Sequence, residues 1–219
     1  MKINLVIDNP NSWFNAPAVK LKKSLTSMGN ICLIVNDPRK IKPKSDITFF
    51  LSCEQYITPK TRNKSLHNIV VHASNLPKGK GMSPTTWQIL EGENTIPLTL
   101  FEVADKIDAG DYYLKASFRL NGSELIAEWQ EKLAQNIFQL IFKFVKNFKK
   151  LPAKKQTEKT TYYPRRTISD SALDPHKTIA EQFNLLRVVD NEKYPAYFIF
   201  KKNKYIIKIY KDQKKWMNS

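Results

Sequence analysis

Residues 68–84 read NIVVHASNLPKGKGMSP. The stretch begins as a β-branched run, reaches His72, and then breaks into small, polar and turn-forming residues. A short continuous apolar run bounded by turn signals suits a buried strand of a parallel sheet. Such a strand delivers His72 to its carboxyl end, where open α/β sheets gather their ligands. Ser74 and Asn75 stand just beyond it. Gly79 and Gly81 free the backbone after Pro77 to pass close to a ligand. Lys78 and Lys80 bring positive charge to the same place. The following "SPTTWQILEG" predicts a short helix, with Ser83 as N-cap, Pro84 at the first helical position and Gly92 past its end.

Working outward, the chain alternates strands with helices. Ile3 to Ile7 is a near-continuous apolar strand, and "DNPNSWFNAP" follows it as a loop. A helix runs from Pro17 to about Met28, where Gly29 ends it. "ICLIVN" and "DITFFLS" are the next strands. "LTLFEV" and "DYYLKASFRL" follow the short helix, and "DKIDAGD" between them places Asp108 at another strand end. "SELIAEWQEKLAQNIFQLIFKFVKNF" is a long amphipathic helix with Leu125, Trp129, Leu133, Ile137, Leu140, Phe144 and Phe148 near one side. This order predicts an α/β layered domain over residues 1–150. Residues 151–219 read as a basic linker and a small C-terminal α+β region, with a helix near Pro175–Val188 and a hairpin of "AYFIF" and "KYIIKIY".

The totals narrow the function classes. Of 219 residues, 42% are hydrophobic, enough for a packed core. Lys and Arg number 36 against 20 Asp and Glu, a net charge of +16, which favours an anionic partner without choosing among nucleic acid, membrane surface and nucleotide. Cys32 and Cys53 both lie in apolar segments and read as reduced core thiols, which points to the cytoplasm. No CxxC pair or His/Cys cluster argues for a metal. The apolar run at the N-terminus is too short for a signal peptide or a membrane span. Taken alone, a single histidine is more often structural than catalytic, and a DAG tripeptide is usually a turn.

The segment "HASNLPKGKGMSPTTWQILEGENTIPLTLFEVADKIDAGDYYL" resembles the formyltransferase family that draws its one-carbon unit from N10-formyltetrahydrofolate. His72, Ser74, Leu76, Pro77, Lys80, Gly81, Pro84, Trp87, Thr99, Asp108 and Gly110 stand at positions that match the family pattern, over about residues 45–120. The resemblance implies a Rossmann-like formyltransferase sheet, catalytic roles for His72 and Asp108, and N10-formyltetrahydrofolate as co-substrate with no metal. It implies a pterin held by the backbone of Phe50, Leu51, Ser52 and Cys53 and of Val103, Ala104 and Asp105. Two features depart from the pattern. The family's asparagine two residues before the histidine falls here at Val70, which cannot hydrogen-bond a formyl oxygen. Asn75 and Asn68 are the polar neighbours that can stand in, and Asn75 is preferred because it follows the strand end directly. The Gly-rich first loop is also absent, with "DNPNSWF" in its place.

"YYPRRTISDSALD" and "LLRVVDNEKYPAYFIF" are similar to the segments that follow the catalytic domain in sugar-nucleotide formyltransferases and their tRNA-acting relatives. The resemblance implies a nucleotide-linked amino-dideoxy sugar as acceptor, for a bacterial surface glycan such as lipopolysaccharide or flagellar glycan. "HASNLPKGKGMSP" looks most like enzymes of nonulosonic (pseudaminic or legionaminic) acid pathways. Trp13, Ser74, Lys78, Lys80, Arg165 and Arg166 are the candidate substrate contacts, Arg being suited to bidentate phosphate contact. Trp87 reads as helix core. A homodimer is the family's habit. A methionyl-tRNA formyltransferase-like enzyme and a non-catalytic folate- or nucleotide-binding module remain as alternatives. Nine Lys or Arg against one acid between Lys143 and Arg166 keep nucleic acid in view. Such runs are more often solvated faces, and few base-stacking aromatics accompany this one.

Overall fold

The computed structural model describes residues 1–212. The strands are β1 (Lys2–Val6), β2 (Ile31–Val35), β3 (Ser45–Phe50), β4 (Ser65–His72), β5 (Lys80–Gly81), β6 (Thr95–Glu102), β7 (Tyr112–Arg119), β8 (Tyr162–Tyr163), β9 (Ala196–Phe200) and β10 (Asn203–Ile207). The helices are α1 (Asn15–Ser27), α2 (Pro59–Arg62), α3 (Pro84–Leu90), α4 (Ile126–Asn147) and α5 (Phe183–Val188). Six strands form one sheet in the order β2-β1-β3-β4-β6-β7. The first four run parallel, and β6 and β7 are antiparallel to their neighbours. This is the expected Rossmann-like α/β sheet with helices against it.

The apolar runs follow from where the strands lie. Ile3, Leu5, Ile47, Phe49 and Ile69 are fully buried beneath α1 and α4, whose inner faces carry Ala18, Leu21, Leu25, Trp129, Leu133, Ile137, Leu140 and Phe144. The opposite face carries a smaller apolar patch of Val6, Ile41, Phe50 and Ile57, with Val35, Cys53, Val70 and Val103 packed against it. At the sheet edge, β2 exposes Ile31 and Leu33. The glutamate in the first turn of α4, Glu128, accepts the Leu125 N–H at 2.9 Å and satisfies one of the helix's free donors.

Several boundaries depart from the sequence reading. β4 begins at Ser65 rather than Asn68, because its polar start still pairs with β3, Ser45 opposite Ser65. Ser83 does not cap α3 through its side chain: its φ of 50° is left-handed, which turns the hydroxyl away from the first helical N–H groups. The helix expected near Pro175–Val188 is shortened to Phe183–Val188, since Asp174 and Thr178 direct turns ahead of it. The β9–β10 hairpin forms as expected. The basic segment after α4 is helix-poor, as expected, with a short 3-10 helix at Phe148–Lys150, and it is hydrogen-bonded across the molecule: Lys154 pairs with Tyr112, and β8 pairs in parallel with β5. The expected C-terminal strand residues beyond Ile207 lie outside β10, and residues 213–219 fall outside the described residues.

Candidate active site

The carboxyl end of β4 is held open by two side chains from neighbouring elements. Thr99, opposite His72 in the β4–β6 register, donates its hydroxyl to Ser74 O at 2.7 Å and accepts the Leu76 N–H at 3.3 Å. Gln88 of α3 donates to Ala73 O at 2.7 Å. The chain therefore leaves the strand in a fixed direction, through a cis Leu76–Pro77 bond, and folds back over His72.

His72 is 9% exposed. Its Nε2 lies 2.8 Å from Gly79 O. A carbonyl can only accept, so Nε2 carries the proton and the neutral ring keeps its lone pair on Nδ1. Asp108 lies on the loop between β6 and β7, with its Oδ2 4.0 Å from His72 Nε2. The same Oδ2 accepts the Gly81 N–H at 2.9 Å. Histidine, carboxylate and glycine loop thus form one connected group, each fixed by the next. Asp108 has a φ of 51°, a left-handed conformation that is uncommon outside glycine and tolerated by Asp.

The other candidate residues fall into separate neighbourhoods. Asn75 is exposed, and its Oδ1 accepts from Lys115 Nζ at 2.7 Å, which leaves Nδ2 as an oriented donor. Burial lowers the Lys115 ammonium from its usual range. Asn68 sits four residues before His72, about 13 Å back along the strand, with its amide on the carbonyls of Arg62 and Ser65. It is therefore not beside the histidine. Ser74 is buried and its hydroxyl has no hydrogen-bond partner. Lys80 is buried and in no ion pair among the described residues, whereas Lys78 lies 3.5 Å from Glu158.

Phe50 ends β3 and Leu51, Ser52 and Cys53 follow it, and Val103, Ala104 and Asp105 follow β6. Both segments join the smaller apolar patch: Phe50 belongs to it, and Cys53 and Val103, like Val70, pack against it. Tyr56 ties them by donating its hydroxyl to Asp105 O at 3.1 Å, and Arg62 forms an ion pair with the Asp105 carboxylate. Burial, with Asp8 nearby, pushes the Cys53 thiol up to about 12, and burial pushes Cys32 up to about 11, so neither is a thiolate nucleophile near neutral pH. Among the described residues no cluster of His, Cys, Asp and Glu could hold a metal ion.

Three candidate substrate contacts are engaged elsewhere. Trp13 packs edge-on against Phe14, ring centroids 5.1 Å apart, and against the main core. Arg165 pairs with Glu54 at 2.9 Å, and with Asn9 also on Glu54 this links the first loop to the loop after β3. Arg166 donates to Val188 O, Asp170 O and Ser171 Oγ, and burial draws its guanidinium below the usual range. It is an internal tie between the segment after α4 and the C-terminal region. Trp87 stacks on Tyr163, centroids 6.4 Å apart, and donates to Pro164 O at 2.8 Å.

The sequence reading passed over Gln156. Its amide donates to Asp108 O at 3.1 Å and to Gly110 O at 2.7 Å. A glutamine within a lysine-rich run carries no periodic or motif signal to single it out.

A six-stranded sheet with this order, presenting a histidine at the end of β4 and an aspartate from the next strand's loop, defines the class: the chain has the formyltransferase fold. Comparison with known proteins agrees. It is 30% identical over 120 residues to the methionyl-tRNA formyltransferase of Fervidobacterium nodosum, a match over 55% of this chain and 39% of that protein, so well under half of the relative's length is spanned. Among solved structures, a methionyl-tRNA formyltransferase from Clostridium thermocellum superposes with a TM-score of 0.75 at 24% identity, over 93% of this chain and 90% of that one. A likely sugar N-formyltransferase from Mycobacterium tuberculosis gives 0.73 at 16% identity, over 98% and 99%. HypX from Aquifex aeolicus in complex with tetrahydrofolic acid gives 0.77 at 16% identity, over 93% and 36%. No protein-family model matches the chain.

Proposed function

We propose that the protein is an N-formyltransferase that moves a formyl group from N10-formyltetrahydrofolate to the amine of a nucleotide-linked amino-dideoxy sugar. The observation that carries the reading is the His72–Asp108 pair, 4.0 Å apart beside the glycine loop. The apolar floor of Cys53, Val70 and Val103 supports a pterin between the segments 50–53 and 103–105. The donor supplies an electrophilic formyl carbon. The acceptor amine attacks it as a neutral nucleophile and must then lose a proton.

His72 is the base for that proton, through Nδ1, while Gly79 O holds its other nitrogen. Asp108 stabilises the imidazolium that results. The proton then passes to the folate nitrogen as its bond to the formyl carbon breaks. Negative charge growing on the formyl oxygen needs a donor, and Asn75 Nδ2, fixed from its other end by Lys115, is assigned that role. Lys80, buried and without an ion pair, and Lys78 answer the diphosphate of a sugar nucleotide. A UDP or dTDP sugar of a surface-glycan pathway, nonulosonic acids included, is the acceptor of choice. The protonated thiols suit a reducing, cytoplasmic setting. A match over 98% and 99% of the two chains to a likely sugar N-formyltransferase supports the sugar reading. No helix of the described residues is long and apolar enough to cross a membrane. A homodimer through the β9–β10 hairpin belongs to the same proposal.

The test is formyl transfer from N10-formyltetrahydrofolate to a panel of UDP- and dTDP-amino sugars, with charged initiator tRNA alongside. We expect turnover of one sugar, a drop of about 10²–10⁴ in His72→Ala, and a drop of about 10²–10³ in Asn75→Ala. Turnover of the tRNA alone, or folate binding without turnover of any acceptor, overturns the reading.

A further inference from the structure

The segment that follows α4 crosses both loops of the site. Lys154 exchanges two backbone hydrogen bonds of 2.9 Å with Tyr112, at the foot of the Asp108 loop. Gln156 then reaches in and donates one amide nitrogen to Asp108 O and to Gly110 O. Further along, Thr161 Oγ1 accepts the Gly79 N–H at 2.8 Å, and Thr161 O accepts the Lys80 N–H at 3.0 Å. Tyr163 O accepts the Met82 N–H at 3.1 Å. Of the two loops held from this one segment, the glycine loop carries both the acceptor for His72, Gly79 O, and the donor to Asp108, the Gly81 N–H, and the other carries Asp108 itself.

We propose that residues 154–163 form a strap that sets the separation of His72 and Asp108, with Gln156 as its positioning residue. The inference rests on the formyltransferase reading for its kinetic consequence only. Asp108 holds a left-handed φ of 51°, a conformation that persists where the surroundings over-determine it. Its own side chain has one hydrogen bond, to Gly81, so the backbone of the loop needs an independent anchor. Gln156 provides it at the carbonyls of residues 108 and 110. There is no slack on the far side of the loop, where a Cβ on Gly110 would meet Glu102 O. With the donor at 156 removed, the loop relaxes, Oδ2 leaves the Gly81 N–H, and the carboxylate no longer faces the imidazole.

The experiment compares the full-length protein with Gln156→Glu, which keeps the side chain's shape and removes its N–H donors, and with Lys150→Ala, at an exposed residue outside the strap, as a control. Two readouts are taken: steady-state formyl transfer, and hydrogen exchange of the Gly81 amide by NMR. For Gln156→Glu we expect a kcat lower by up to about 10²-fold with KM for both substrates nearly unchanged. We expect Gly81 exchange faster by about tenfold or more, from local opening of the loop. Lys150→Ala leaves both unchanged. If Gln156→Glu does not fold, Gln156→Met, of similar length and uncharged, carries the same readouts. Transfer in the wild type with Gly81 exchange and kcat unaltered in the variant overturns the strap and leaves the function standing. Faster Gly81 exchange in a protein that transfers no formyl group to any acceptor supports the strap and overturns the function instead.

Discussion

Glu124 shows how a single residue outside the site supports the molecule. Its side chain is 3% exposed, yet Lys132 lies 2.5 Å away and Arg187 3.5 Å away. Burial raises its carboxyl, but the hydrogen bonds from Lys132 and the backbone N–H groups at 121 and 122 outweigh that and hold it at about 2. A depressed folded value contributes stability that is present above the unfolded value, near ~4.3, and is lost as pH falls toward 2. The contribution is roughly 3 kcal/mol near neutral pH. Glu124→Gln is expected to lower the melting temperature at pH 7 and to converge with the wild type below about pH 2. Thermal unfolding across pH 2–8 checks it, and parallel pH profiles for the two proteins would sink it. At this scale the sequence was legible where a residue type is tied to a motif. His72 and Asp108 stood out, and the structure brings them together. Gln156 and Arg187 did not, because their partners lie 46 and 63 positions away, and Glu124 did not, because no motif points to a carboxylate held by the N–H groups of 121 and 122 and by Lys132.

Gly81 makes the argument at the scale of an element. It pairs with Tyr163 where β5 meets β8, its φ is +98°, and a Cβ there would lie 2.3 Å from Tyr163 O. That neighbour is backbone and cannot rotate aside. Gly29, by contrast, has a φ of +82° with nothing within 4 Å of an added Cβ. Gly29→Ala is expected to carry the conformational strain alone, about 1 kcal/mol. Gly81→Ala adds a clash, with a loss nearer ~3 kcal/mol and loss of the proposed formyl transfer as β8 is pushed away. Urea unfolding of the two variants side by side checks the difference, and equal midpoints would contradict it. The long helix α4 was legible from its period alone, since one face must be buried. The short elements were not. β5 and β8 are two residues each and exist only because the strap passes over the glycine loop. α3 starts without the side-chain cap that Ser83 seemed to offer, because the loop sets Ser83 in a left-handed turn.

For the whole molecule, the β9–β10 hairpin leaves Ile199 60% and Ile206 62% exposed, on the same face of a two-stranded sheet. A two-stranded ribbon is marginal by itself, and pairing with a second copy would cover it. Light scattering in solution is expected to give twice the chain mass of 25.4 kDa. The double variant Ile199→Lys, Ile206→Lys is expected to give a folded monomer that retains the proposed formyl transfer. A wild-type monomer at micromolar concentration would exclude the dimer.

The sequence by itself determined the alternation of buried strands and amphipathic helices, the delivery of His72 to a strand end and the placing of Asp108 in the loop after the next sheet strand. These are local: they depend on side-chain periodicity and on residues close together in the chain. Only the tertiary structure decided that the basic segment after α4 is a strap over the site, that Lys115 orients Asn75, and that Arg166 ties the chain internally. Each rests on a backbone carbonyl, an amide or a charge meeting a partner far away in sequence. Propensity and periodicity carry no information about such meetings until the sheet order has brought the partners side by side.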